Sequence, residues 1–127
     1  SQMDTVTLAT RLAEHLVGRE IQNDTDFLLN TVRKALSSAG NIPAATITVR
    51  AEDLEPLQAA MSQGDLEAFR HVNLTMEAST SIATGGCLIQ FDGGIIDARV
   101  EAQLNALSES VREAVMAPRT TQEEETA

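Results

Sequence analysis

Gly85-Gly86-Cys87-Leu88-Ile89-Gln90-Phe91-Asp92-Gly93-Gly94-Ile95-Ile96-Asp97-Ala98 decides the fold class. Cys87 to Phe91 is apolar on nearly both faces, which is the pattern of a central strand. Asp92-Gly93-Gly94 is a hairpin signal, because glycines accept the positive φ that tight turns demand. Ile95-Ile96 returns as a short fourth strand, so part of the sheet is antiparallel. Upstream, Ala45-Thr46-Ile47-Thr48-Val49-Arg50 alternates apolar and polar and is rich in β-branched residues, a half-buried strand. Val72, Leu74 and Met76 alternate with Asn73, Thr75 and Glu77 in the same way. Ser79 to Thr84 forms a polar loop before the paired glycines.

The remaining segments have helical period. Leu8, Leu12 and Leu16 recur every four residues within 6–21, with Ala9, Ala13 and Val17 beside them. Asn23-Asp24-Thr25-Asp26 interrupts that helix and starts a second, whose stripe is Leu28, Leu29, Val32, Ala35 and Leu36. A third opens at Glu52-Asp53-Leu54-Glu55-Pro56-Leu57, with Leu54, Leu57 and Met61 as its inner face, and Gly64 ends it. Asp97 is read as the N-cap of the last helix, whose near-heptad stripe is Val100, Leu104, Leu107, Val111 and Ala114 or Val115. The apolar stripes of the first and last helices are expected to cover the sheet. A partner helix on part of them is the alternative. The order is α-α-β-α-β-β-β-α. The class is therefore α+β, a small mixed, largely antiparallel four-stranded sheet covered by about four helices. Residues 1–117 form one domain, and 118–127, with Glu123-Glu124-Glu125, form an acidic tail expected to be disordered.

The chain of 127 residues has 9 Lys+Arg against 19 Asp+Glu, a formal net charge of −10, and its only aromatics are three Phe. Nucleic-acid binding needs a basic face, and single-strand binding needs stacking platforms, so both are excluded as functions. Residues 51–69 contain five acids and no base. The excess serves solubility or steers a cationic partner. A lone cysteine, Cys87, fits a reducing compartment. No run approaches 18 apolar residues and no secretory leader is visible, so membrane insertion is not expected.

Candidates for chemistry are few. Cys87 with His71 is the one conceivable nucleophile and base. Cys87 lies in an apolar strand, where a free thiol usually acts as a small hydrophobe, so no catalytic residue is expected. His15 has Arg19 and no ligand at i+4, and one Cys makes no structural zinc site, so no metal is expected. Gly85-Gly86 precedes a strand with no nearby Lys, unlike a phosphate-binding loop, and no cofactor is expected. Gly85, Gly86, Cys87, Gly93, Gly94 and Asp97 are read as structural. Partner contacts are assigned to Arg99, Gln103, Leu107 and Val111 on the last helix, and to Glu52, Asp53 and Glu55. Those acids sit in a first helical turn, where the helix dipole alone would also place them.

Gly85-Gly86-Cys87-Leu88-Ile89-Gln90, followed by Gly94-Ile95-Ile96-Asp97-Ala98-Arg99-Val100-Glu101-Ala102-Gln103-Leu104, resembles the C-terminal domain of the flagellar export protein FliH and its type III secretion stator counterparts. More distantly it is similar to a peripheral-stalk protein of the vacuolar and archaeal rotary ATPases. Val17-Gly18-Arg19-Glu20-Ile21 with Leu28-Leu29 and Val32-Arg33-Lys34-Ala35-Leu36 resembles the family's first helical pair, and Val49-Arg50-Ala51-Glu52-Asp53-Leu54 its first strand and helix start. The match covers roughly 6–115. Ser79-Thr80 replaces the family's usual Asp-Pro, and Ala51 a frequent Pro. The resemblance implies a non-enzymatic, cytoplasmic stator and regulator, peripheral to the inner membrane at the export apparatus. Its partner would be the export ATPase, whose amphipathic N-terminal helix it binds. An injectisome stator or a rotary-ATPase peripheral-stalk protein is the alternative within the class, and the Cys87/His71 thiol enzyme the alternative outside it. The resemblance also implies a preceding helical region that forms a homodimer and reaches a rotor-ring protein, making this chain a C-terminal domain.

Overall fold

The computed structural model describes residues 1–23 and 26–118. The acidic tail past Pro118 and the Asp24-Thr25 helix start therefore lie outside the described residues. The elements are α1 (Gln2–Asn23), α2 (Phe27–Ala39), β1 (Ala44–Val49), α3 (Ala51–Ser62), β2 (Asn73–Ala78), β3 (Cys87–Phe91), β4 (Gly94–Ala98) and α4 (Val100–Met116). A short 3-10 turn, Glu67–Phe69, precedes β2 and has no counterpart in the sequence pattern. It follows Leu66, which is buried in the core.

The sheet is mixed, in the order β2-β1-β3-β4. β1 and β2 are parallel, Ala44 opposite Asn73 and Val49 opposite Ala78. Parallel neighbours need a crossover, and α3 supplies it. β3 runs antiparallel to both β1 and β4, with Ile89 opposite Ile47 on one side and Ile96 on the other. The hairpin turn is Asp92-Gly93, closed by Phe91 opposite Gly94. Of its two glycines only Gly94 has positive φ, 149°. Gly93 serves differently: a Cβ there would lie 2.8 Å from the Phe91 ring.

Strand side chains alternate between faces, so one face takes Ala45, Ile47, Val49, Cys87 and Ile89. These pack with Leu29, Val32, Ala35 and Leu36 of α2 and Leu57 of α3 into one core. On α3 the inner line is Leu54, Leu57 and Ala60, whereas Met61 is exposed. Thr46 and Thr48 are half-buried on the opposite face, and Thr75 and Gln90 are exposed there.

The first helix departs from expectation. α1 does not cover the sheet but pairs with α4, antiparallel. Gln2 Nε2 donates to the Val115 carbonyl at 3.3 Å, and the Thr10 and Ser108 hydroxyls meet at 3.3 Å. The face turned inward carries Val6, Thr10, Ala13, Val17 and Ile21, of which Val6 is fully buried. Leu8, Leu12 and Leu16 are 61%, 57% and 61% exposed. Helical geometry puts Arg11, His15 and Arg19 beside those leucines. α4 packs on the face of small side chains that carries Val6, Ala13 and Val17, which leaves the leucines and the charges beside them in water.

Candidate functional site

α2 and α4 both rest on β4 but do not pack closely on each other. Between them lies an open groove of about 560 Å³. Its lining includes Ala35 and Ser38 of α2, Ala98 at the end of β4, and Ala102 and Ala106 of α4. Small residues at four-residue spacing keep this face of α4 low and leave room for another helix. Lys34 and Glu20 also line the groove, as do Phe27, Thr31 and Gln103. Gln103 Nε2 donates to the Ala98 carbonyl at 2.8 Å, tying α4 to the strand beneath it. A concave, mostly apolar channel with a few fixed polar groups is the form of a binding site.

The start of α4 is fixed by two devices. Asp97, read as its N-cap, lies in β4 instead, and the N-cap is Arg99. Asp97 holds that residue through a fork, Arg99 Nε to Oδ1 at 2.8 Å and Nη2 to Oδ2 at 2.7 Å. The Arg99 backbone N–H also donates to Oδ1, at 3.1 Å. The Arg99 side-chain bond is the main cause holding the Asp97 carboxyl below its ordinary value of 3.8. A lowered carboxyl stabilises the fold above the ordinary pKa and loses that contribution as pH falls through the depressed one. An NMR titration of the Asp97 carboxyl should therefore have its midpoint below 3.8.

The second device is the paired glycines. Gly85 has φ 82° and donates its N–H to Asp53 Oδ2 at 3.0 Å. A Cβ on Gly86 would lie 3.0 Å from both the Arg99 Cα and the Val100 N. The loop thus joins the N-terminus of α3 on one side to that of α4 on the other.

The sequence-derived contact residues divide between those two sides. Asp53 is half-buried in its bond to Gly85. Glu52 is exposed and pairs with Arg50 at 2.8 Å, and Glu55 is exposed. On α4, Gln103 lines the groove, Arg99 is held by Asp97, Leu107 is 37% exposed, and Val111 is half-buried. No contact given by the structure brings the α3 acids against these α4 residues. The sequence signal for the groove is the recurrence of Ala98, Ala102 and Ala106 together with Ala35 and Ser38. It is a quiet signal, because small residues carry no chemistry of their own.

Cys87 is fully buried on β3. Burial first, and then the Asp97 charge, push its thiol from 9.0 up to about 12. His71 is exposed just before β2. The strand registers put Cys87 level with Val49 and Asn73 level with Ala44. At ~3.3 Å per residue the two ends are about 16 Å apart along the strands, so His71 does not reach the thiol. A disulfide reagent should react with Cys87 at least ~100-fold more slowly in the folded domain than in denaturant. Stopped-flow absorbance measures this, and equal rates would contradict the burial. Among the described residues no group of three or more His, Cys, Asp or Glu could hold a metal ion, and no helix is long and apolar enough to cross a membrane.

The family model described as flagellar assembly protein FliH matches residues 1–107. A type 3 secretion system stator protein of Yersinia enterocolitica is 29% identical over 114 residues, covering 86% of this chain and 50% of that protein. The corresponding stator protein of Yersinia pestis is 30% identical over 101 residues, 76% of this chain and 45% of its own length. The flagellar assembly protein FliH of Borreliella burgdorferi is 27% identical over 107 residues, 84% of this chain and 35% of its own. The chain thus spans half or less of the length of these relatives.

Proposed function

Because this chain belongs to the flagellar assembly protein FliH family, we propose that it is a non-catalytic stator and regulator domain that binds the N-terminal helix of a type III export ATPase. The groove between α2 and α4 is the observation that carries this reading. It is open, floored by β4 and lined by small side chains, so an amphipathic helix can lay its apolar face into it. Lys34 and Glu20 in its lining can fix the register of the helix, while Asp97, the third charge there, is already paired with Arg99. The domain would work in the cytoplasm against the export apparatus. Homodimer formation and contact with a rotor ring are assigned to the part of the relatives' length that this chain does not span.

Calorimetric titration of the whole chain with a synthetic N-terminal segment of the ATPase tests the proposal. One-to-one binding with micromolar affinity is expected. Absence of binding at high micromolar concentration, with the domain folded by circular dichroism, would overturn it. Arms with the flagellar and the secretion-system ATPase segments separate the two systems. The secretion-system arm is included because two relatives at 29–30% identity are stator proteins.

Glu52 and Glu55 are proposed to steer the cationic side of that helix towards the domain from a distance. Both are exposed, and neither lines the groove. The double reversal Glu52→Lys/Glu55→Lys should slow association several-fold at low salt and flatten its dependence on ionic strength. Stopped-flow fluorescence measures this, and an unchanged salt slope removes both residues from the encounter.

A further inference from the structure

Among the described residues Thr31 is the one buried polar side chain, 8% exposed. It stands on the groove side of α2, with Phe27 one turn before it and Ala35 one turn after. The other uncharged polar side chains of the lining are engaged. Ser38 Oγ donates to the Ala35 carbonyl at 2.8 Å, Gln103 Nε2 donates to the Ala98 carbonyl at 2.8 Å, and Asn30 Oδ1 accepts from Arg33 Nη1 at 3.1 Å. The Thr31 hydroxyl makes no hydrogen bond among the described residues. Nor is it sealed in, because no described side-chain polar atom is both fully enclosed and unpaired. Its opening is therefore onto the surface that Thr31 lines, which is the groove.

We propose that Thr31 determines the specificity of the groove, selecting a helix that carries one uncharged hydrogen-bonding side chain (Ser, Thr, Asn or Gln) within its apolar stripe. The inference rests on the reading of the groove as the docking site of the ATPase helix. In the free domain, water in the open groove serves the hydroxyl. A docked helix expels that water. A wholly apolar stripe would then leave the hydroxyl buried and unpaired, which costs more than the bond itself contributes. A polar side chain on the helix replaces the water instead. Threonine both donates and accepts, so a hydroxyl or an amide fits equally. A charged group does not, because the site around Thr31 is too buried to solvate it. Discrimination of this kind is strong, since a site built to hydrogen-bond its ligand rejects the analogue that lacks the polar group. Valine at position 31 would have nearly the same shape and no such selectivity.

The test titrates the whole chain with the synthetic ATPase segment by calorimetry, as wild type, Thr31→Val and Thr31→Ser. Thr31→Val removes the hydroxyl and should weaken binding roughly tenfold. Thr31→Ser keeps the hydroxyl and should retain most of the affinity. Alanine replacement of the segment's uncharged polar residues, one at a time, should find one position that weakens binding to wild type but not to Thr31→Val. That non-additivity is the signature of direct contact. Urea denaturation of the free Thr31→Val domain should give a midpoint at or above wild type, because no internal bond is lost. A midpoint well below wild type would place the partner of the hydroxyl inside the domain and overturn the proposal. So would Thr31→Val binding as tightly as wild type, or a scan with no coupled position. Absence of binding by the wild-type chain overturns the ATPase reading itself, and this inference with it, so the two failures are told apart.

Discussion

Gly86→Ala should lower the stability of the domain by about 1–3 kcal/mol, the cost of overpacking where neighbours cannot yield. The added Cβ would meet the Arg99 Cα and the Val100 N, both at 3.0 Å. Both contacts are backbone, and that backbone is already fixed by the Asp97 fork and the first turn of α4. Rotamer change gives no relief, so the start of α4 must move. The displacement also reaches Gln103 and Ala102, which line the groove. Gly85→Ala should cost a similar amount for a different reason. Its φ of 82° is left-handed, and its Cβ would press on Ile21 and Phe27 at 3.2 Å. Gly18→Ala is the internal control. Gly18 lies within α1, and a Cβ added there would meet nothing within 4 Å, so alanine should stabilise by ~0.5–1 kcal/mol through helix propensity. Urea denaturation measures all three. A Gly86→Ala midpoint equal to wild type would show that the start of α4 yields without cost.

Ala102→Phe should weaken binding of the ATPase segment at least tenfold, about 1.4 kcal/mol. Ala102 is half-buried and lines the groove, which at about 560 Å³ has room for the ring. The fold should therefore survive while the space for a docked helix is lost. Leu12→Gln on the outer face of α1 should leave this binding unchanged, because Leu12 does not line the groove. Calorimetry on both variants separates the two surfaces. Wild-type affinity in Ala102→Phe would remove the groove as the docking site.

The element order was legible because period and turn chemistry are local. β-branched alternation wrote β1, and the apolar run from Cys87 to Phe91 wrote β3 at the centre of the sheet. Family membership was legible in the double glycine and the Asp97-Ala98 helix approach. The roles of particular polar residues were less so. Asp97 precedes a helix in sequence and so reads as a cap, but its geometry in β4 gives it to Arg99 instead. Asp53 reads as part of an acidic patch, yet its carboxylate is committed to the Gly85 N–H.

What the sequence determined by itself, then, is the α+β class, the hairpin and the buried faces of β1, β3 and α2, because each is set by residues adjacent along the chain. Tertiary structure alone decided which side of α1 is buried and where a groove opens. α1 carries two apolar faces, and only the arrival of α4 selects Val6, Ala13 and Val17 over Leu8, Leu12 and Leu16. The groove exists because α2 and α4, remote in sequence, both settle on β4 with small residues between them, and no local pattern encodes that distance.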